Sequence, residues 1–280
     1  MQLLKRAERK LKRLAFLQWK GARHRTRSFT GCPAKQVGFV SGVQRSGTNM
    51  VMFAIEQHPW TDVFHESDSR AYHDFDQRSE AVLQALAKRS AAPRVIFKGL
   101  QEADLIPGQL ERFAPARALW LYRDWRDVVN SIVARWPDHR NEMDAILSGE
   151  AVPSWRGRAN KPDTIARLAR HYDPSLSNAA INTLYWIMRN ELYFDLGLDR
   201  DQRSLCLRYE SILSDPETAM TRLCSHFSMP ENARMLGIPS PAAARTKPAP
   251  AIPEEIAALA DEMLERLDHT ATHDAARRTS

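Results

Sequence analysis

Residues 37–49, VGFVSGVQRSGTN, restrict the fold more than any other stretch of the chain. A short apolar strand, Val37 to Val40, runs into a loop bearing glycine and serine, and then into a helix that opens near Thr48. Backbone N–H groups and a helix N-terminus converge there, which makes an anion site. Gly42 and Gly47 stand at the spacing of the phosphate-loop pattern G-x-x-x-x-G-K-[ST]. The next two positions, however, are Thr48 and Asn49 instead of lysine and the metal-holding hydroxyl. The loop's cation, Arg45, sits inside it.

The rest of the chain alternates strand and helix patterns. Four further strands are expected at Thr61–His65, Arg94–Lys98, Ala116–Tyr122 and Ser204–Tyr209, each short and apolar. Helical patterns cover Thr48–Gln57 (opening on a good cap), Ser79–Lys88 and Arg126–Arg135. A long helix from Asn178 to about Leu196 carries Ile181, Leu184, Tyr185, Met188 and Leu192 on one face, and a closing helix spans Glu254–Leu267. This alternation defines an α/β chain with a central parallel sheet and helices on both faces. Ligands of such folds gather at the carboxyl ends of the strands. Residues 136–177, broken by Pro137, Pro153, Pro162 and Pro174, read as an excursion over the site mouth, helical at Asp163–Arg170.

Two more motifs join the first. Leu119-Trp120-Leu121-Tyr122 leads into Arg123-Asp124-Trp125-Arg126-Asp127-Val128, with Ser131 eight positions after Arg123. Later, Leu207-Arg208-Tyr209-Glu210 precedes Asp215-Pro216. With Arg45-Ser46-Gly47-Thr48, these three elements in this order resemble the sulfotransferases that use 3′-phosphoadenosine 5′-phosphosulfate (PAPS), over residues 37 to about 230.

The resemblance implies a phosphate-loop sulfotransferase fold and a residue-by-residue assignment. The amides of Gln44, Arg45, Ser46, Gly47, Thr48 and Asn49, with the Ser46 and Thr48 hydroxyls, would cradle the 5′-phosphate, and Arg45 would supply charge. Arg123 and Ser131 would bind the 3′-phosphate, and Tyr209 would meet the adenine. Lys98 would stabilise the leaving oxygen. Cytosolic relatives place a histidine base two residues beyond that lysine, where this chain has Leu100. The resemblance therefore leans towards the carbohydrate- and tyrosine-modifying and bacterial branches, whose base is a glutamate after the second strand, here Glu66. His65 and His73 stand behind it. The family needs no metal. A hydroxyl or amine acceptor, of the carbohydrate or glycolipid kind, would meet Trp136, Trp155, Arg156, Arg158, His171 or Tyr172. Plainer alternatives stay open: Arg123 paired with Asp124 or Asp127, Glu66 with Arg70, Lys98 in solvent, Tyr209 in the core. So do two other functions, a phosphate-loop kinase or NTPase and a catalytically retired membrane-associated interaction protein.

Charge is concentrated at one end. Residues 1–27 hold ten Lys/Arg against the single Glu8, net +9, so the remainder carries −3 of the chain's +6. The body is thus not expected to bind nucleic acid. Residues 1–30 read as a basic amphipathic arm, with Leu3, Leu4, Ala7, Leu11, Leu14 and Leu17 at helical spacing, and 31–280 as the catalytic domain. The arm suits an anionic membrane surface as well as docking on the body. Cys32, Cys206 and Cys224 lack metal spacing and read as inert thiols of a reducing compartment, so the expected location is cytoplasmic.

Overall fold

The computed structural model of the protein describes residues 2–26, 34–136, 139–148, 155–239 and 248–279; Cys32, Pro137 and Pro153 lie outside them. Helix α1 (Gln2–Thr26) precedes β1 (Gln36–Gly42), α2 (Thr48–Glu56) and β2 (Thr61–Phe64). A small hairpin, β3 (Tyr72–His73) and β4 (Asp76–Gln77), leads to α3 (Glu80–Arg89) and β5 (Arg94–Lys98). Then come α4 (Ile106–Arg112), β6 (Ala116–Tyr122) and α5 (Trp125–Val133). The excursion folds as α6 (Arg140–Leu147) and α7 (Pro162–Ala169), ahead of the long α8 (Asn178–Asp195). Strand β7 (Ser204–Arg208), α9 (Tyr209–Ser214), α10 (Pro216–His226) and α11 (Glu254–Thr279) complete the order.

Five parallel strands form one sheet in the order β2-β5-β1-β6-β7. The chain winds from β1 towards β2 on one side, then crosses to β6 and β7 on the other. That reversal opens a crevice at the carboxyl end of β1, where an open parallel sheet binds ligands. All seven residues of β1 are buried, as a central strand covered on both faces requires. One face packs on α5, α8 and α11, the other on α2 and α10.

Several expectations need correction. Helix α8 is not one-faced: every residue from Ala180 to Phe194 is buried. It runs through the middle of the larger core, so its polar residues Asn182, Arg189, Asn190 and Glu191 must find partners inside. The closing helix continues past Leu267 to Thr279, because Ala271 and Asp274 keep facing the sheet. Asp274 Oδ2 accepts the backbone N–H of Cys206 at 2.9 Å on the outer edge of β7. Strand β7 stops at Arg208, and Tyr209 opens the next helix. Helix α2 is capped by Gly47 in the left-handed region, with no side-chain cap bond, and not by Thr48.

Helix α1 docks on the body. His24 meets the Pro59 carbonyl at 2.7 Å, Lys20 donates to Thr61 Oγ1 at 2.8 Å, and Arg13 pairs with Glu56 at 2.6 Å. Glu56 in turn bonds His65, just past the end of the other edge strand β2, so as α1 is followed backwards its contacts pass from Pro59 ahead of β2 to the Glu56–His65 pair, and the two run antiparallel. Among the described residues no helix is long and apolar enough to cross a membrane. Cys206 and Cys224 are buried, and burial pushes both thiols up, Cys224 to about 11.

A candidate active site at the carboxyl ends of β1, β5 and β6

A cavity of about 520 Å³ opens at that end of the sheet. Gln44, Arg45, Gly47, Thr48 and Asn49 line it from the loop after β1, and Lys98, Leu100 and Gln101 from the end of β5. Glu66 comes from beyond β2, Arg123 from the tip of β6, and Ser131 from α5. Phe75, Trp136 and Arg156 form the mouth. Four cations and one carboxylate line this space, which is the charge pattern of a polyanion site.

The loop owes its shape to two backbone turns. Arg45 lies at φ 71° and Gly47 at φ 91°. A side chain at position 47 would meet the Tyr209 ring at 2.2 Å, so the loop and that ring touch directly. With the cap position left-handed, the first turn of α2 bonds back only through Met50 and Val51 to the Gly47 carbonyl. The amides of Gly47, Thr48 and Asn49 make no backbone hydrogen bond among the described residues and remain as donors at a helix start. The Ser46 amide is already used by the Val43 carbonyl at 3.2 Å. The Ser46 side chain is fully buried behind the loop and does not line the cavity. Its Oγ has no hydrogen-bond partner among the described residues. Gln44 is fixed from behind, its Oε1 accepting the hydroxyl of the buried Tyr185 at 2.5 Å.

Two of the expected anion-binding residues meet across the cavity. Arg45 Nε donates to Ser131 Oγ at 2.8 Å, and its guanidinium lies 5.9 Å from the Trp136 ring. Arg123 stacks 4.6 Å over the Tyr209 ring and donates to Asp127 at 2.6 Å. The Arg123–Asp127 pair, the plainer alternative, is therefore present, and Arg123 lines the cavity as well. Aspartate 127 holds the guanidinium against Tyr209 without removing it from the cavity wall. Tyr209 itself backs this wall and does not line the space.

On the opposite side Lys98 Nζ donates to Glu66 Oε2 at 2.5 Å and to Asn49 Oδ1 at 2.9 Å. Asn49, at the place where a phosphate loop usually keeps its metal-binding hydroxyl, is used here to aim a lysine. Arg70 turns to Asp68 at 2.6 Å, not to Glu66. His65 bonds Glu56 at 3.1 Å and His73 lies exposed beside Asp74, so neither histidine lines the cavity. Among the described residues no group of acids, histidines and cysteines is arranged to hold a metal.

The excursion reaches the site through Trp136 and Arg156. Trp155 packs against two guanidinium groups, Arg156 at 4.6 Å and the fully buried Arg189 at 4.9 Å. Arg189 also donates to the carbonyls of Leu100 and Arg156, both at 3.0 Å, which ties the excursion to the end of β5. Arg158 pairs with Asp104 at 3.6 Å, outside the cavity lining. His171 and Tyr172 lie elsewhere, beside Glu255 and Asp144.

Phe75 and Glu102 are among the residues that escaped the sequence reading. Phe75, 59% exposed, sits on the hairpin tip, where it and Asp74 both have positive φ (72° and 50°). A turn of that type normally uses glycine or asparagine, so no turn signal marked it. Beneath the hairpin, Glu102 accepts the Gln77 amide at 2.7 Å, and burial pushes its carboxyl up to about 7. A carboxyl raised in the folded state stabilises fully below its unfolded pKa and loses that contribution as pH rises through the folded value. The native protein is expected to lose stability between pH 4.5 and 7 relative to Glu102→Gln; parallel urea titrations across that range that do not diverge would refute this.

No protein-family model matches the chain, and no curated protein does. Solved structures do. The sulfotransferase domain of the Synechococcus PCC 7002 olefin synthase aligns with 83% of this chain and 95% of its own length, at TM-score 0.51 and 17% identity. Mouse sulfotransferase SULT7A1, complexed with PAP, aligns over 80% and 71% at TM-score 0.45 and 16% identity. Sulfotransferase STF9 from Mycobacterium avium aligns over 93% and 82% at TM-score 0.47 and 15% identity. The protein therefore has the sulfotransferase fold, a five-stranded parallel sheet flanked by helices.

Proposed function

We propose that the protein is a PAPS-dependent sulfotransferase of the branch that uses a glutamate base, moving a sulfuryl group to a hydroxyl or amine of a carbohydrate or glycolipid. One observation carries the reading. A single cavity joins the open amides of Gly47 to Asn49, the Arg45–Ser131 contact, Arg123 against Tyr209, and the Lys98–Glu66 pair. The residues fit a doubly phosphorylated nucleotide: open amides at a helix start for one phosphate, and guanidinium, hydroxyl and aromatic ring for the other phosphate and the base. Bound PAPS would supply the sulfuryl group.

The chain's own part is proton and charge handling. Glu66 takes the acceptor's proton. Once neutral, its carboxyl no longer balances the Lys98 ammonium, whose charge then faces the oxygen that is gaining electrons. Asn49 keeps Lys98 aimed during that exchange of partners. Phe75 and Trp136, both exposed at the mouth, offer aromatic faces to a sugar ring, and Arg156 offers charge to an anionic one. The kinase or NTPase reading lacks support at Thr48 and Asn49, the latter being engaged with Lys98.

The first test is a thermal shift with 3′-phosphoadenosine 5′-phosphate (PAP) in chelator, against Mg-ATP; a shift with the second alone would refute the proposal. Labelled PAPS with a glycolipid extract then reads the acceptor. Arg123→Ala is expected to weaken PAP binding roughly ten- to a hundredfold, the value of a charge-assisted bond. Ser131→Ala, which leaves the Arg123–Asp127 pair in place, is expected to weaken it less. Calorimetry showing native affinity in both would remove these two residues from the nucleotide site.

A further inference from the structure

We propose that the outward face of α1 docks on an anionic lipid surface. The described part of this helix turns basic groups inward and leucines outward. Three of its side chains reach into the body: Arg13 to Glu56, Lys20, only 4% exposed, to the Glu56 carbonyl and Thr61, and His24 to the Pro59 carbonyl. Its apolar side chains point out. Leu11 is 67% exposed and Leu14 48%, with Ala15 exposed beside them; Trp19, 46% exposed, borders this face, its ring stacked on Phe16 at 5.6 Å and 5.8 Å from the Arg234 guanidinium. Leu11, Ala15 and Trp19 recur at steps of four, and Leu14 lies three beyond Leu11, so they form one stripe. A helix that had only to grip the body would turn such a stripe inward. Among the described side chains of the helix, Phe16 alone of the large apolar ones is buried, at 8% exposure.

Charge selects the occupant. Residues 1–27 carry net +9, and a stripe of leucine and tryptophan within so basic a helix matches an anionic bilayer in both chemistries. Tryptophan in particular favours the headgroup boundary. A second copy of the chain fits poorly, because joining two such faces brings two segments of net +9 together. Position agrees with this. Helix α1 runs antiparallel to β2, so its first turns point towards the carboxyl ends of the strands, where the cavity opens. The lipid surface then lies beside the cavity.

The experiment is co-sedimentation of the full chain with phosphatidylcholine vesicles, with and without phosphatidylglycerol. Binding is expected only to the anionic vesicles. The double variant Leu11→Gln, Leu14→Gln, on exposed positions, is expected to lose at least about tenfold in affinity while keeping its unfolding temperature. A second variant, Lys5, Arg6, Arg9 and Lys10 all to Gln, is expected to lose binding as well. Failure to sediment with anionic vesicles overturns the proposal. So does equal binding of the leucine variant, which would leave charge alone responsible. Self-association of the native chain that the leucine variant abolishes would assign the stripe to a second copy instead. PAP binding, measured on the same samples, reports separately on the catalytic reading.

Discussion

Glu66→Gln is expected to lower kcat by about 10²–10⁴-fold while PAP affinity stays at its native value. Glutamine has the same shape and its carbonyl oxygen still accepts from Lys98, which sits 2.5 Å from the native carboxylate, so the pocket keeps its geometry. What disappears is the ability to take a proton. The size of the effect follows from the loss of general-base assistance alone. Lys98 is nearly fully buried and Glu66 16% exposed, so bulk buffer reaches the position poorly. Single-turnover kinetics with labelled PAPS check this. Native turnover in the variant would exclude Glu66 as the base, and a matching loss of PAP affinity would show that its role is structural.

The second large effect is on stability. Gly42 ends β1 at φ 141°, a backbone region that other residues rarely occupy. A Cβ added there would lie 2.1 Å from the carbonyl oxygen of Leu121 and 3.0 Å from its carbonyl carbon. Those atoms belong to the backbone of β6, paired with β1 in the middle of the sheet, so they cannot swing aside as a side-chain tip would. Gly42→Ala is expected to cost about 3 kcal/mol or more, from strained backbone and overpacking together. For a chain of this size that is a fall of roughly 5 °C in unfolding temperature. A variant melting within a degree or two of the native protein would mean that β1 and β6 can separate at this point without penalty.

Sequence made the sheet legible because each of its strands is short, apolar and bounded by polar turns. Arg94–Lys98 and Ala116–Tyr122 fall where the pattern places them. The site was legible for a related reason, since its residues leave the tips of those strands and the topology gathers the tips. Helix α6 was hidden among the prolines of the excursion, although Met143, Ile146 and Leu147 carry a helical spacing. Phe75 could not be seen, because its placement depends on a strained hairpin and not on composition. Glu102 and Arg189 share a further obstacle. A charged residue reads as surface, and only the packing shows that Arg189 is enclosed and serves three backbone carbonyls. In α1 the amphipathic spacing was plain, but which face turns inward was decided by Glu56, Pro59 and Thr61, residues remote in sequence.

The first and last helices share one further consequence. Helix α1 flanks β2 and α11 flanks β7, where Asp274 occupies the free amide of Cys206. A parallel sheet left bare at either margin is a template onto which another molecule adds its own strand. Loss of either flanking helix would thus convert a self-limited fold into one that grows by stacking copies, and insolubility would be the first sign of such damage, ahead of any change in chemistry.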